Sequence, residues 1–193
     1  MSELKRRIIL EKKGDETDIS IRELVVLLKW TAEVDLDLLA FYQTKDGRTG
    51  GVFSDNYPGG TRGNLNKFPF IELDYDAGVG ASSGEKEEML RISELGDMAE
   101  VYIVTINYTD AVTNTSSTFR DYDGSVSVMN ERWDSIEVPL NSPEKGHVAV
   151  VCKLDNTSHA RAKLVNLNKI MDFKDFMTTI PGADMFVRLK FTQ

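Results

Sequence analysis

The feature that most constrains this chain is a succession of short apolar runs, cut by turn-forming residues at near-regular intervals. "RRIILEKK", "ELVVLLKW", "VDLDLLAFYQ", "GGVF", "FPFIEL", "EMLRI", "EVYIVTINY", "GSVSVMN", "DSIEVPL", "HVAVVCKL", "RAKLVNL" and "MFVRLKF" follow one another in that order. They are rich in Val, Ile, Phe and Tyr, and most are roughly four to eight residues long, which is the signature of strands. Between them lie "KDGR" (45–48), "NYPGG" (56–60), "YDGS" (122–125), "NSPEKG" (141–146) and "DNTS" (155–158), all built from residues that favour turns. Many short strands each need a second apolar face to cover them, so the pattern predicts a mainly β chain folded as a two-sheet antiparallel β-sandwich. One segment departs from it. Over 168–180, Ile170, Phe173, Phe176 and Met177 recur at helical spacing and Pro181-Gly182 follows, which predicts a short C-terminal helix capping an open end of the sandwich. No repeat, linker or low-complexity block interrupts the chain, and residues 1–193 read as a single domain.

Charge narrows the function. The formal net charge is −8 and the pI about 4.9, which argues against binding nucleic acid, since that needs Lys and Arg to neutralise phosphates. It argues equally against docking on anionic lipid, and it is compatible with attracting cations. Cys152 is the lone cysteine and sits in an apolar run, so it reads as a packed core thiol in a reducing compartment. The N-terminal stretch lacks a signal peptide's apolar region, and no run reaches the roughly 20 residues that span a bilayer. The expectation is a soluble, cytoplasmic protein. His147 and His159 lie on or beside strands and read as surface or structural residues, while Trp30 and Trp133 read as core or corner residues.

The carboxylates cluster in three places. Asp35 and Asp37 are two apart on a strand, opposite in phase to Val34, Leu36 and Leu38, so both project from one face. Like charges so placed repel unless water or a cation intervenes. Asp55-Asn56 follows the strand ending at Phe53. The third place is "LDYDAGVGASSGEKEEML" (73–90), with Asp74, Asp76, Glu85, Glu87 and Glu88 around a glycine-rich stretch. It is not an EF-hand: counted from Asp74, Val79 falls at position six, where that loop needs Gly, and the flanks read as strands. Hard cations such as Ca²⁺ take oxygen donors of this kind, and Cys and His are nearly absent here, which speaks against zinc or copper. Residues alone leave two readings open: a cation cage or a solvated acidic loop.

The order of the segments resembles the TerD family of tellurium-resistance and general stress proteins. "IILEKKGDETDI" (8–19) is similar to that family's opening strand, glycine turn and second strand, and "VVLLKW" with "VDLDLLAFYQTKDG" (25–47) to its Trp-ended strand, D-L-D segment and D-G turn. "VFSDN" (52–56) resembles its aromatic strand closing on Asn-Asn, and "DAGVGASSGEKEEMLRISEL" (76–95) its glycine–acid element. Later strands and the C-terminal strand-to-helix passage follow in order. The resemblance implies a two-sheet sandwich binding calcium among the loops at one end, with Asp35, Asp37, Asp55, Asn56, Asp76, Glu85 and Glu87 as the metal ligands; Asp74, outside the family's pattern, is an expected extra ligand. Lys86 stands where the family has a second Asp, Tyr75 where it has Gly, and Glu85 is longer than the usual Asp.

The function so implied is that of a calcium-binding, non-enzymatic stress-response protein, an adaptor or scaffold in a stress complex with other, membrane-associated proteins. It neither inserts into the membrane nor binds nucleic acid, and its oligomeric state is left open. The alternatives are a metal-free β-sandwich that serves as a protein-interaction module, with "MFVRLKF" as a pairing edge, and a carboxylate-based hydrolase using Asp35/Asp37 or Glu85/Glu87.

Overall fold

In the computed structural model, which describes residues 5–74, 85–115 and 117–188, the apolar runs become strands with one exception. In chain order these are β1 (Arg7–Ile9), β2 (Glu16–Asp18), β3 (Arg22–Trp30), β4 (Leu36–Thr44), β5 (Thr49–Val52), β6 (Gly63–Asn64) and β7 (Ile71–Leu73). They continue with β8 (Lys86–Glu94), β9 (Met98–Asn107), β10 (Ser125–Met129), β11 (Ser135–Pro139), β12 (Val148–Asp155) and β13 (Lys163–Met171). One sheet has the order β1-β11-β10-β3-β8-β7-β6 and the other β2-β13-β12-β9-β4-β5. Neighbours pair antiparallel except β1 with β11, which are parallel. The exception is "MFVRLKF": Ala183–Arg188 form a 3-10 turn rather than a strand, and the rest lies outside the described residues.

Alternation in the strands fills the space between the sheets. Leu24, Val26, Leu28 and Trp30 of β3 face Leu36, Leu38, Ala40 and Tyr42 of β4, joined by Leu90, Ile92, Val101 and Ile103 in one buried cluster. Trp30 is anchored there by its indole N–H, 2.9 Å from the Val34 carbonyl. Trp133 departs from the core expectation: it stands 58 % exposed at the tip of the β10–β11 hairpin, with a positive φ of 63°. At the other hairpin, "KDGR" behaves as a turn signal should, with Gly47 at φ 90° and its N–H bonded to the Thr44 carbonyl.

The short helix is the main departure. Its helical residues are α2 (Phe173–Thr179), preceded by α1 (Tyr108–Thr113) between β9 and β10. Residues 168–171 of the predicted helix belong instead to β13, where Ile170 pairs with Ala149. The helix begins where Asp172 caps it, its carboxylate accepting the Asp175 N–H at 2.8 Å. Nor does α2 plug an open end. It lies across the outer face of the second sheet, where Phe176 packs with Phe41, Phe53, Val104, Ile106, Val148, Val150 and Phe186 in a second buried cluster. The Phe176 ring meets Phe41 edge-on at 5.3 Å and Phe186 at 6.4 Å. The result is three layers, sheet on sheet on helix. A register shift between Val150 and Cys152 in β12 lets Val150 face the helix while Val151 and Cys152 both enter the inner cluster. Gly182 brings the chain back against β5: a Cβ there would sit 2.3 Å from the Gly50 carbonyl oxygen, and its φ is 84°.

Cys152 is fully buried, and burial pushes its thiol well above the ordinary range. It should therefore resist iodoacetamide in the native protein and alkylate once urea unfolds the chain, as read by intact mass.

Candidate functional site

Antiparallel pairing brings the acidic segments to one pole of the sandwich. Trp30 at the end of β3 pairs with Lys86 at the start of β8, Leu73 at the end of β7 pairs with Leu90, and β4 begins after a five-residue connection from β3, at Leu36 opposite Asn107. The loop after β5 closes on itself through the Phe53–Thr61 bridge beside them.

At this pole Asp37 shares the outer face of the second sheet with Leu39 and Phe41, as the alternation of β4 requires, and Asp35, the residue before β4, has the same phase and places its charge near enough to act on Tyr57. Tyr57, 8 % exposed, covers that face and donates its hydroxyl to Asp37 Oδ2 at 2.5 Å. Burial pushes the Tyr57 phenol far above its usual range, and the charges of Asp37 and Asp35 push the same way, so Tyr57 remains a donor at any physiological pH. Rings of Tyr108 and Phe186 stand 6.2 and 5.1 Å from Tyr57 and complete its apolar setting.

Glu88 approaches from the other sheet. It shares the inward phase of Leu90 and Ile92, and its Oε2 accepts the backbone N–H of Leu38 at 2.5 Å. The reason is local: β5 pairs with β4 only from Ala40 to Gln43, and beyond that end Glu88 supplies the acceptor that no strand does. Glu88→Ala should cost about 1–3 kcal/mol by orphaning a shielded N–H. Glu88→Gln keeps an acceptor and should cost less, and urea denaturation of the two variants separates them.

Four of the remaining expected ligands, Asp55, Asp74, Glu85 and Glu87, already have cationic partners. Asp55 Oδ1 accepts from Arg62 Nε at 2.9 Å, and Arg62 Nη1 donates to the Asp74 carbonyl at 2.7 Å. Arg91 holds the Asp74 carboxylate at 2.8 Å and Glu72 at 3.0 Å. Glu85 and Glu87, in the opposite phase to Glu88, stand on the outward face with Lys29, 3.4 and 4.0 Å from its ammonium. Lys86 shares the inward phase of Glu88, but its ammonium turns to the Ala32 carbonyl at 3.2 Å and to Glu33 at 3.3 Å. Asn56 is exposed, its N–H donating to Ser54 Oγ at 3.2 Å. Asp76 lies outside the described residues. Among the described residues no group of three or more His, Cys, Asp or Glu side chains is gathered closely enough to hold a metal ion.

Two further polar groups at this pole are structural. Asn107 caps α1 by accepting the Asp110 N–H at 3.0 Å, and the buried Asp110 carboxylate accepts from Tyr122 at 3.2 Å and Thr115 at 3.0 Å. This closes the α1 turn over the end of β9.

A comparison with solved structures finds the same arrangement elsewhere. A homologue of the telluride resistance protein TerD from Streptomyces coelicolor A3(2) matches with a TM-score of 0.51 and 20% identity, over 79% of this chain and 92% of that one. The chain has a TerD-like fold. A protein of unknown function, SAV2460, matches with a TM-score of 0.54 and 16% identity, over 78% of this chain and 92% of the other. No protein-family model and no curated protein matches the chain at the level of sequence. The sequence order that resembled TerD thus corresponds to a TerD-like three-dimensional arrangement. Of the expected ligands, the structure brings Asp35 and Asp37 together on one face and gives Asp55, Asp74, Glu85 and Glu87 basic neighbours.

Tyr57, Arg62 and Arg91 are the residues at this pole that sequence reasoning passed over, and Glu88, though counted with the acids of 73–90, was given no role. Glu88 was legible, because it stands two before Leu90 in an alternating strand. Arg62 and Arg91 carried no signal without knowledge of which strands are neighbours.

Proposed function

We propose that this chain is a non-enzymatic, calcium-binding protein of the stress response, acting through binding to partner proteins in the manner of a TerD-type adaptor. The observation that carries the reading is the Asp35/Asp37 pair: two carboxylates on one face, with an obligatory donor, Tyr57, on one oxygen of Asp37. Asp35 and Asp37 would hold the ion together with Asp76, and backbone carbonyls and water would complete the roughly six to eight oxygens that Ca²⁺ takes. Bound there, calcium supplies charge neutralisation and ties the loops of the pole together. Because Arg62, Arg91 and Lys29 already neutralise Asp55, Asp74, Glu85 and Glu87, the reading specifies one ion rather than two. The telluride-resistance homologue among the similar folds supports the assignment to chemical stress. No helix among the described residues is long and apolar enough to cross a membrane.

A second reading rests on the same arginines. With the Arg62 guanidinium on Asp55 and the Asp74 carbonyl, and that of Arg91 on the Asp74 and Glu72 carboxylates, the pole has internal counter-ions, and the protein would serve as a metal-free interaction module. Calorimetric titration separates the two: one Ca²⁺ per chain, with Mg²⁺ binding far more weakly, supports the first, and no heat with either ion leaves the second.

A further inference from the structure

The opposite pole of the sandwich carries a cavity of about 590 Å³. It lies among the end of β4, the start of β9 and the β12–β13 loop, far along the strands from Asp35 and Asp37. Its volume falls within the roughly 300–1,000 Å³ typical of small-ligand sites. Its lining is unlike the rest of this acidic chain: Lys45, His159 and Arg161 line it with the hydroxyl residues Thr157 and Ser158, and no lining residue is a carboxylate.

The loop that presents these groups is shaped by its own side chains. Asp155 Oδ1 accepts from the Thr157 N–H at 3.0 Å and from its hydroxyl at 2.6 Å, while Ser158 Oγ accepts the Ala160 N–H at 3.2 Å. At its base Asn156 is buried and donates to the carbonyls of Leu95 and Met98 at 2.9 and 3.1 Å, fastening the loop to the turn before β9. Two of the nearby acids are already engaged. Asp155 serves the loop and lies 3.3 Å from Lys153, and Asp18 holds one Arg161 nitrogen at 3.1 Å. That leaves the other donors of the Arg161 fork. Among the described residues, Lys45 and His159 make no ion pair and no side-chain hydrogen bond.

From this geometry we propose that the cavity binds a small oxyanion, the phosphate or carboxylate group of a low-molecular-weight metabolite. Lys45 supplies the point charge, Arg161 the planar donor pair that matches an oxyanion, and His159 with the Ser158 hydroxyl supplies the remaining hydrogen bonds. The overall charge of −8 sharpens the point: on a chain that repels anions at long range, an acid-free recess lined by cations is a place where a small anion gains and a macromolecular polyanion does not.

The test is a titration of the full-length protein, followed by amide NMR, with inorganic phosphate in one arm and succinate in the other. Phosphate should shift the amides of residues 156–161 saturably, and Lys45→Gln and Arg161→Gln should each weaken binding about tenfold, the loss of one charge-assisted hydrogen bond. Saturable shifts with succinate instead would assign a carboxylate ligand to the same recess. Both substituted side chains are exposed, and a well-dispersed amide spectrum confirms that each variant is folded. The proposal is overturned if neither anion shifts these amides at tens of millimolar, or if the shifts persist unweakened in the double variant.

Discussion

Phe176→Ala should lower the free energy of unfolding by about 3–5 kcal/mol, the cost of deleting a large aromatic side chain from a packed interior. Phe176 is fully buried, and its neighbours, Phe41 and Phe53 on the sheet and Phe186 in the following turn, are held by β4, the residue after β5 and the Ala183–Arg188 turn. They cannot collapse into the space left. The size of the effect distinguishes a true third layer from an appended helix. If α2 were only an attachment, Phe176→Ala would release it and leave the sandwich to unfold at its original midpoint. If the outer face of the second sheet is part of the core, one cooperative transition should move as a whole. Denaturant unfolding followed both by far-ultraviolet dichroism and by tryptophan emission reads this directly, because Trp30 lies in the inner cluster and not against the helix. Lys174→Ala, on the exposed side of α2, should stay within about 0.5 kcal/mol of the unsubstituted protein.

Calcium at about one hundred times its dissociation constant should stabilise the protein by about 2.7 kcal/mol, and Asp37→Asn should remove most of that gain. For a chain of this size the stabilisation corresponds to a rise in Tm of roughly 5–10 °C. The substitution takes away a full charge at the centre of the proposed site while leaving an oxygen to accept the Tyr57 hydroxyl, so the fold itself should survive. Glu85→Gln and Glu87→Gln are the informative controls. Both carboxylates face outward beside Lys29, and neither change should alter the calcium-dependent shift. A melting curve that is the same with calcium, with magnesium and with chelator would remove the calcium reading. A calcium shift that survives Asp37→Asn but is lost in Glu87→Gln would place the ion on the outward face instead.

Much of this molecule was legible along the chain, for a definite physical reason. Strand character is local: side chains alternate every two residues, and turns need Gly, Asn, Asp or Pro at particular backbone angles. Hence β3, β4, β9 and β12 and the turn at 45–48 stand where the pattern places them. The Asp35/Asp37 pair was legible by the same alternation. The helix was half legible. Its apolar spacing was correct from Phe173 onward, but Ile170 fits a helix face and an inward-alternating strand equally well, and the Asp172 cap is what decides between them. That the helix covers a sheet face rather than an end had a trace in the sequence, because "LLAFY" and "VAVVC" are apolar on both phases, as strands buried on both sides must be.

What the sequence determined by itself is therefore the β-sandwich class, the placing of its turns along the chain and the one-sided placement of Asp35 and Asp37. Only the tertiary structure decided which carboxylates are partnered by what. Arg62 reaches Asp55 and Asp74, and Arg91 reaches Glu72 and Asp74, because β6, β7 and β8 are neighbours in one sheet. Tyr57 reaches Asp37 because a loop folds back over the second sheet. Electrostatic partnership depends on distances across the fold of a few ångströms, and those are set by sheet order, which no local pattern of residues encodes.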